Sequence, residues 1–320
     1  MTTTIHIIKI AMKNGGKTIK SKNSGDKKSK SLKIIVTISM GLVAAGGGVG
    51  LGLFFGQEFL TPQTNYNYNI KDLEDDVDSL YRKYKSMDES QYSSFKPYEM
   101  VNIGYKKLVE HSNFYSYSIG NVNASGILQT IFATSMKYDH SYFNESISQS
   151  SLVQVAKRFY QSNSGSVELY KGSATSSSTA VWDENSKQQY SDEEFEDLYG
   201  KKLSKSCIYI ISSKTVKNSN IEFKDNVYTV ELDLDPVLSV VRYVKQMSSM
   251  SDLSRNPEFN SVKITYKLDN SLALLEADII ENYEVYKFGK HKSVGTLTET
   301  FVYDTNTEIP TLDKNCNYGG

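Results

Sequence analysis

The run Val227-Tyr228-Thr229-Val230-Glu231-Leu232-Asp233-Leu234 puts Tyr228, Val230, Leu232 and Leu234 on one side of an extended chain, and Thr229, Glu231 and Asp233 on the other. Side chains of a strand alternate between faces, so a period of two marks a half-buried strand. Val262–Leu268 repeats the pattern: Val262, Ile264, Tyr266 and Leu268 alternate with Lys263, Thr265 and Lys267. The turn Leu268-Asp269-Asn270-Ser271 then leads into a long strand over Leu272–Val285, and Leu297–Tyr303 reads as a further one. Clean alternation of this kind belongs to an antiparallel sheet with one wet face.

Upstream, the sequence predicts strands over Phe114–Gly120, Ile127–Tyr138, Val167–Tyr170, Ala180–Asp183 and Cys207–Ile211. Short helices interrupt them. Ser191-Asp192-Glu193-Glu194 is a capping box, with Phe195 and Leu198 on the buried side and Gly200 as the stop. Asp235 caps a second helix with Pro236 at its first position and an apolar stripe of Val237, Val240, Val241, Val244 and Met247. Pro97 opens another, with Val101, Tyr105, Leu108 and Val109 as its apolar face. Before it, Ile70, Leu73, Val77, Leu80, Tyr84 and Met87 predict one helix with an acidic start and a basic end, which suits the helix dipole. It is too short for an isolated coiled coil and is expected to pack on its own domain. The expected class is α+β: a large curved antiparallel sheet with a few short helices on its concave face.

Charge is distributed unevenly along the 320 residues. Residues 1–33 hold nine lysines and one acid, Asp26, while the rest of the chain is acidic. Ile34–Gly56 contains no Asp, Glu, Lys, Arg or His. As a helix it would be about 34 Å long, enough for a bilayer core of about 30 Å. The lysines ahead of it place the N-terminus in the cytoplasm and the C-terminal domain outside the cell. The Lys-rich tail then meets anionic lipid headgroups, and no motif for nucleic acid accompanies it. The apolar stretch exceeds a signal-peptide core and no A-x-A site follows, so it reads as an uncleaved single-pass anchor. Met12 is an alternative start to Met1.

Ala44, Gly48, Gly52 and Gly56 recur every four residues, a stripe on which a second helix can pack closely; glycine is also simply commoner in membrane helices. The expected layout is a basic cytoplasmic tail over 1–33, the transmembrane helix over 34–56, a juxtamembrane linker and amphipathic helix over 57–96, an extracytoplasmic domain over 97–310 and a tail over 311–320. The richness in Lys, Asn, Ser and Ile, with only five Pro, fits an AT-rich bacterial genome.

Chemistry-bearing motifs are sparse. The four histidines, His6, His111, His140 and His291, build no HExxH, and no nucleophile elbow, phosphate loop or dinucleotide fingerprint is present. Asp233-Leu234-Asp235 imitates a metal motif, but one acid lies on a wet strand face and the other caps a helix. Asp304, Asn306 and Glu308 alternate like a calcium loop, yet Ile309 stands where its glycine belongs. Glu193 and Glu194 are adjacent on a helix and do not face each other. Trp182 reads as core or cavity lining. Cys207 and Cys316 fit no metal spacing; they read as a buried thiol and a tail thiol, with a disulfide between them as the alternative. No catalysis, metal or cofactor is expected.

The order of elements resembles the LolA/LppX-like lipoprotein-carrier domain over about residues 97–310. Ala124–Tyr138 with Gln129, the Val167–Trp182 strand pair, and Tyr228–Pro236 followed by a helix and paired long strands carry the likeness. The resemblance implies a curved half-barrel wrapped around helices, with an apolar pocket for acyl chains. This chain lacks the lipid-attachment cysteine of such carriers, which argues for a tethered sensor or accessory subunit rather than a shuttle. Leu128, Phe132, Met136, Val240, Val244 and Met247 are the candidate pocket residues, or else ordinary core. The expectation is a membrane-tethered extracytoplasmic binding or sensor module for a lipid-like or envelope ligand. The alternative is a structural subunit of an envelope complex that assembles through its transmembrane Gly stripe and the juxtamembrane Ile70–Met87 helix, as a homodimer or with a membrane partner helix.

Overall fold

A computed structural model describes residues 63–304, apart from 139, 152, 163–164, 206, 251–252, 254 and 287–289. The basic tail, the apolar segment with its Ala44–Gly56 stripe, both candidate start residues and Cys316 lie outside the described residues. No helix among the described residues is long and apolar enough to cross a membrane.

The strands are β1 (Asn113–Ala124), β2 (Ile127–Tyr138), β3 (Ser141–Gln149), β4 (Gln154–Gln161), β5 (Val167–Ala174), β6 (Ala180–Tyr190), β7 (Val216–Lys224), β8 (Val227–Leu234), β9 (Glu258–Asp269), β10 (Leu274–Tyr286) and β11 (Lys290–Tyr303). They form one sheet in the order β6-β5-β4-β3-β2-β1-β11-β10-β9-β8-β7. Two meanders, β1–β6 and β7–β11, are sewn together where β1 pairs antiparallel with β11, with Ser118 opposite Glu299 and Ser116 opposite Phe301. The sheet stays open, with β6 and β7 as its edges. A large open antiparallel sheet with few short helices fits the half-barrel expected from the sequence.

Turn chemistry sets the registers. Asp225 and Asn226 both take positive φ (52° and 63°) in the two-residue link between β7 and β8, the geometry that matches strand twist. Between β9 and β10 the Asp269 carboxylate accepts from the Ser271 and Ala273 amides, at 2.9 and 2.8 Å.

The main core lies on one face of β8–β10. Val230, Leu232 and Leu234 of β8, Val262, Ile264, Tyr266 and Leu268 of β9, and Tyr283 and Val285 of β10 are almost wholly buried. Helix α3 (Pro97–Glu110) covers them with Met100, Val101, Ile103 and Leu108, all fully buried. At about 1.5–3 kcal/mol per large side chain, this patch is the principal source of stability. Tyr105 of α3 meets Tyr266 and Phe301 edge-on, with ring centroids 5.9 and 6.2 Å away.

The helix expected over Ile70–Met87 is two helices, α1 (Ile70–Leu73) and α2 (Val77–Lys85). The acids of the expected first turn cause the break. Asp76 instead caps α2 by accepting from the Ser79 amide at 2.9 Å. Asp75 accepts from the Ser213 amide and hydroxyl at 2.7 and 2.8 Å. Glu74 pairs with Lys205 at 2.8 Å and with Arg242. The pair of helices packs on its own domain, with Leu73, Tyr81 and Tyr84 buried.

Two of the expected helices form with corrections: the first buries Phe195 and Tyr199 and leaves Leu198 40% exposed, and the second begins at Val241 after a turn over 236–240 and not at Pro236. In α4 (Asp192–Tyr199) Ser191 and Glu194 complete the capping box, and Gly200 ends the helix at φ 77°. Asp235 accepts from the Val237 and Leu238 amides at 2.8 and 2.9 Å, starting a turn that becomes α5 (Val241–Met250). Phe195 and Tyr199 of α4 meet Phe159 of β4 edge-on, covering the same face of the sheet in its other half.

Cys207–Ile211 is a correction: its apolar run is irregular backbone laid across the inner face, and it forms no strand. The chain also adds three strands that the sequence reading left out, β3, β4 and β7.

Candidate functional site

Strand alternation gives the inner face two characters. Around β8–β10 it is apolar. Across β11, β1, β2 and β3 the same face carries Glu299, then Ser116 and Ser118, then Ser135, then Asn144 and Ser146, as their registers require. These side chains are too short to reach the helices above them. The result is a cavity of about 230 Å³. Its roof comes from α3 (Tyr105), the segment after α4 (Lys201, Leu203, Cys207, Tyr209) and α5 (Tyr243). A second cavity of about 540 Å³ lies on the far side of that segment, beside the α1–α2 break and Arg242. Tyr105, Ser204, Cys207 and Tyr209 line both and so form the partition.

Charge sits at the cavity. The Glu299 carboxylate accepts from the Ser116 hydroxyl at 2.9 Å. Burial pushes its pKa above the usual carboxylate range; Ser116 and the nearby Lys201 charge oppose the rise. The Lys201 ammonium donates to the Lys205 carbonyl at 2.5 Å, and burial pulls it down to about 8. Both residues are half-buried by exposed area and line the cavity. Beside them, the Tyr105 and Tyr266 hydroxyls lie 3.4 Å apart, both pushed well up by burial. Behind the roof, Glu281 accepts from Tyr209 and, at 3.5 Å, from Tyr243; burial raises it to about 7.

Among the described residues Cys207 has no disulfide partner, and burial raises its thiol pKa, which keeps it in the unreactive protonated form. No histidine stands among the residues that line either cavity. Among the described residues no group of three or more His, Cys, Asp or Glu is placed to hold a metal ion.

The six candidate pocket residues are separated. Leu128 is 58% exposed, and Leu128 and Phe132 alternate onto the face of β2 opposite the cavity. Phe132 packs there against Ile147, Ala156 and Ala174. Met136 is buried at the cavity's border. Val240, Val244 and Met247 belong to the main core. Trp182 is on the outer face, where the buried Arg158 guanidinium lies 4.1 Å from its ring and pairs with Glu145 at 2.8 Å. Glu299, Lys201 and Glu281 were not anticipated. The signal for two of them is present: Glu299 interrupts Leu297, Phe301 and Tyr303, and Glu281 interrupts Ile279, Tyr283 and Val285, each at an inward strand position.

The fold and cavity together define an open-sheet α+β domain with a partly open cavity that has polar side chains on its floor. No protein-family model matches the chain. No curated protein matches it either. Among solved structures it is similar to a DUF1329 family protein from Desulfovibrio piger, at 10% identity and a TM-score of 0.26, covering 66% of this chain and 93% of that one. It is also similar to the ywiB protein from Bacillus subtilis, at 12% identity and a TM-score of 0.16, covering 59% and 91%. At these scores neither likeness carries an argument about this chain.

Proposed function

We propose that this chain is a non-catalytic binding module, tethered by residues 34–56 with its folded domain outside the cell, and that a small polar ligand occupies the cavity under residues 201–209. The observation that carries the reading is the polar floor: Ser116, Ser118 and Glu299 face open volume, where the same face of β8 and β9 is filled with apolar side chains. Concave sites with a few convergent polar groups and displaced pKa values are where ligands bind. The tether rests on the uncharged run and the lysines before it.

An acyl chain suits this cavity poorly. At roughly 30 Å³ per water, its volume corresponds to about eight waters. Hydrocarbon there would also exclude water from the Glu299 carboxylate and leave it only Ser116 and the Lys201 charge.

Native mass spectrometry of the full-length chain, extracted from its host in mild detergent, tests the reading. A bound species of a few hundred daltons is expected. A ligand-free protein, or a phospholipid or fatty acid alone, contradicts it. Protease added to intact cells should reach the domain; protection would remove the tether and its orientation.

A further inference from the structure

We infer that the folded domain stands on the membrane by one end of its sheet, where the β1–β2 turn and the start of β11 rest on anionic lipid headgroups. The inference rests on residues 34–56 being the anchor, as proposed above, and adds the surface by which the tethered domain docks.

The length of the tether selects the end. Ten residue steps separate Gly56, the last of the uncharged run, from Tyr66. Fully stretched they span about 35 Å. Tyr66 is buried in the main core, its hydroxyl beside the Phe259 backbone. Phe259 is the second residue of β9, and Asp269 is the last. At about 3.4 Å per residue the two lie about 34 Å apart along the strand. The headgroup layer adds about 5–7 Å on each side of the hydrocarbon. With the Asp269 end on the membrane, Tyr66 would stand about 40 Å from the hydrocarbon, beyond the reach of a stretched tether. The Phe259 end therefore faces the lipid.

The same end holds the β1–β2 turn and the start of β11. Glu258 stands opposite Glu284 across the β9–β10 ladder, and Lys292 stands opposite Glu284 across β10–β11. The Lys292 carbonyl accepts from the Ser125 amide at 3.1 Å. Ser125 and Gly126 turn the chain at positive φ (48° and 89°). Just behind them Leu128 and Val294, 58% and 44% exposed, flank Asn123 on the outer face. Apolar side chains next to basic ones suit the boundary between headgroup and hydrocarbon. Charge favours this end as well. The chain beyond the basic tail is acidic, so an anionic surface repels most of it. Lying flat on its outer face would press Glu231, Asp233, Glu276 and Asp278 against the lipid, with Lys263 and Lys267 to offset them. At the Phe259 end each acid has its base: Glu284 pairs with Lys290 at 2.6 Å and Glu258 with Arg255 at 3.2 Å. Among the described residues there, that leaves the exposed Lys292 in excess.

The test uses the full-length chain in vesicles of phosphatidylcholine with one quarter phosphatidylglycerol, doped with brominated phosphatidylcholine, whose bromine quenches indole fluorescence on contact. Trp182→Phe removes the only tryptophan. On that background Leu128→Trp reports the docking end, and Asn270→Trp, in the β9–β10 turn, reports the opposite one. Brominated lipid should at least halve the Leu128→Trp emission and leave Asn270→Trp within a tenth of its unquenched value. Lys292→Glu, or omission of phosphatidylglycerol, should restore at least half of the lost emission. No quenching at Leu128→Trp overturns the inference, as does equal quenching at both positions, or quenching that neither Lys292→Glu nor the loss of phosphatidylglycerol relieves. Vesicle flotation separates this from the anchor. Protein that floats without quenching keeps the tether and loses the docking surface; protein left at the bottom of the gradient removes both.

Discussion

The Tyr209 hydroxyl donates to the Glu281 carboxylate behind the cavity roof, where both residues are nearly closed off from water. Burial raises Glu281 to about 7 even with hydrogen bonds from Tyr209 and Tyr243. An unfolded Glu titrates at about 4.3. Between these values the folded chain keeps a proton that the unfolded chain has released, so stability falls as pH rises through that window. Glu145 and Glu299, also raised by burial, add to the fall. Lys157 and Lys201, drawn down to about 8, act oppositely: above 8 the unfolded chain holds the extra protons up to about 10.4, and stability climbs. Urea unfolding between pH 5 and 9.5 should therefore show a trough near pH 7–8. Glu281→Gln should remove up to about 3 kcal/mol of the acid-side slope. A maximum at neutral pH would contradict the account.

Lys157 stands across the β4–β5 ladder from Lys171, on the inner face, and is 4% exposed. Burial first, and the Lys171 charge second, disfavour its ammonium form. An apolar side chain of similar length removes that cost. Lys157→Met is expected to stabilise the fold at pH 7 by about 1–3 kcal/mol, since like charges directly opposite and buried charges both destabilise. The unfolding midpoint should rise by several degrees. A lower midpoint would mean that the ammonium is compensated.

Gly200 ends α4 at φ 77° and hands the chain to Lys201. A Cβ there would lie 2.4 Å from the Arg242 carbonyl oxygen of α5. Left-handed backbone alone costs a side-chain-bearing residue about 1–2 kcal/mol, and the overlap adds to it. Gly200→Ala should lose at least about 2 kcal/mol in chemical denaturation. It should also displace Lys201 and weaken ligand binding. Unchanged stability would show that α4 and α5 separate freely.

These sites divide what the sequence discloses from what it conceals. β8 and β9 were legible because one face is wet and the other is pure core, so alternation is clean. β3 and β4 were not, because Glu145 and Arg158 sit among their buried outer-face residues and pair with each other across the ladder at 2.8 Å. A charge that finds its partner only in the folded sheet breaks the hydrophobic pattern from which a strand is read. β7 is an edge strand exposed along both faces and leaves no pattern at all. Cys207–Ile211 failed for the opposite reason: a continuously apolar run reports burial, not conformation. The cavity depends on strands more than a hundred residues apart, since Ser116 and Glu299 become neighbours only through the β1–β11 register. The inward glutamates were the one legible trace of it.

Glu74 joins the break between α1 and α2 to Lys205, next to Ser204 of the partition, at 2.8 Å, and to the buried Arg242 of α5. Its carboxyl is held below the usual range: burial works against this, and the hydrogen bonds and charges of Lys205 and Arg242 outweigh it. Glu74→Ala should leave the Arg242 guanidinium undercompensated and cost about 1–3 kcal/mol. Hydrogen exchange should quicken over residues 204–209 and stay unchanged in β9. Uniform acceleration would point to global destabilisation instead.

Ser118 lies opposite Glu299 across the β1–β11 pair and lines the cavity floor. The site needs it to be short. Ser118→Leu puts a branched side chain into space that no atom occupies, without displacing a packed neighbour. The added apolar surface is buried, while one hydroxyl is lost; the two effects are each about 1–2 kcal/mol and of opposite sign. The unfolding midpoint should therefore move little, while the species retained in native mass spectrometry disappears. Leu128→Ser, on the exposed opposite face of the neighbouring strand, serves as control and should retain the ligand. Retention in Ser118→Leu equal to that of the parent would place the ligand elsewhere, with the 540 Å³ cavity across the partition as the next seat to probe.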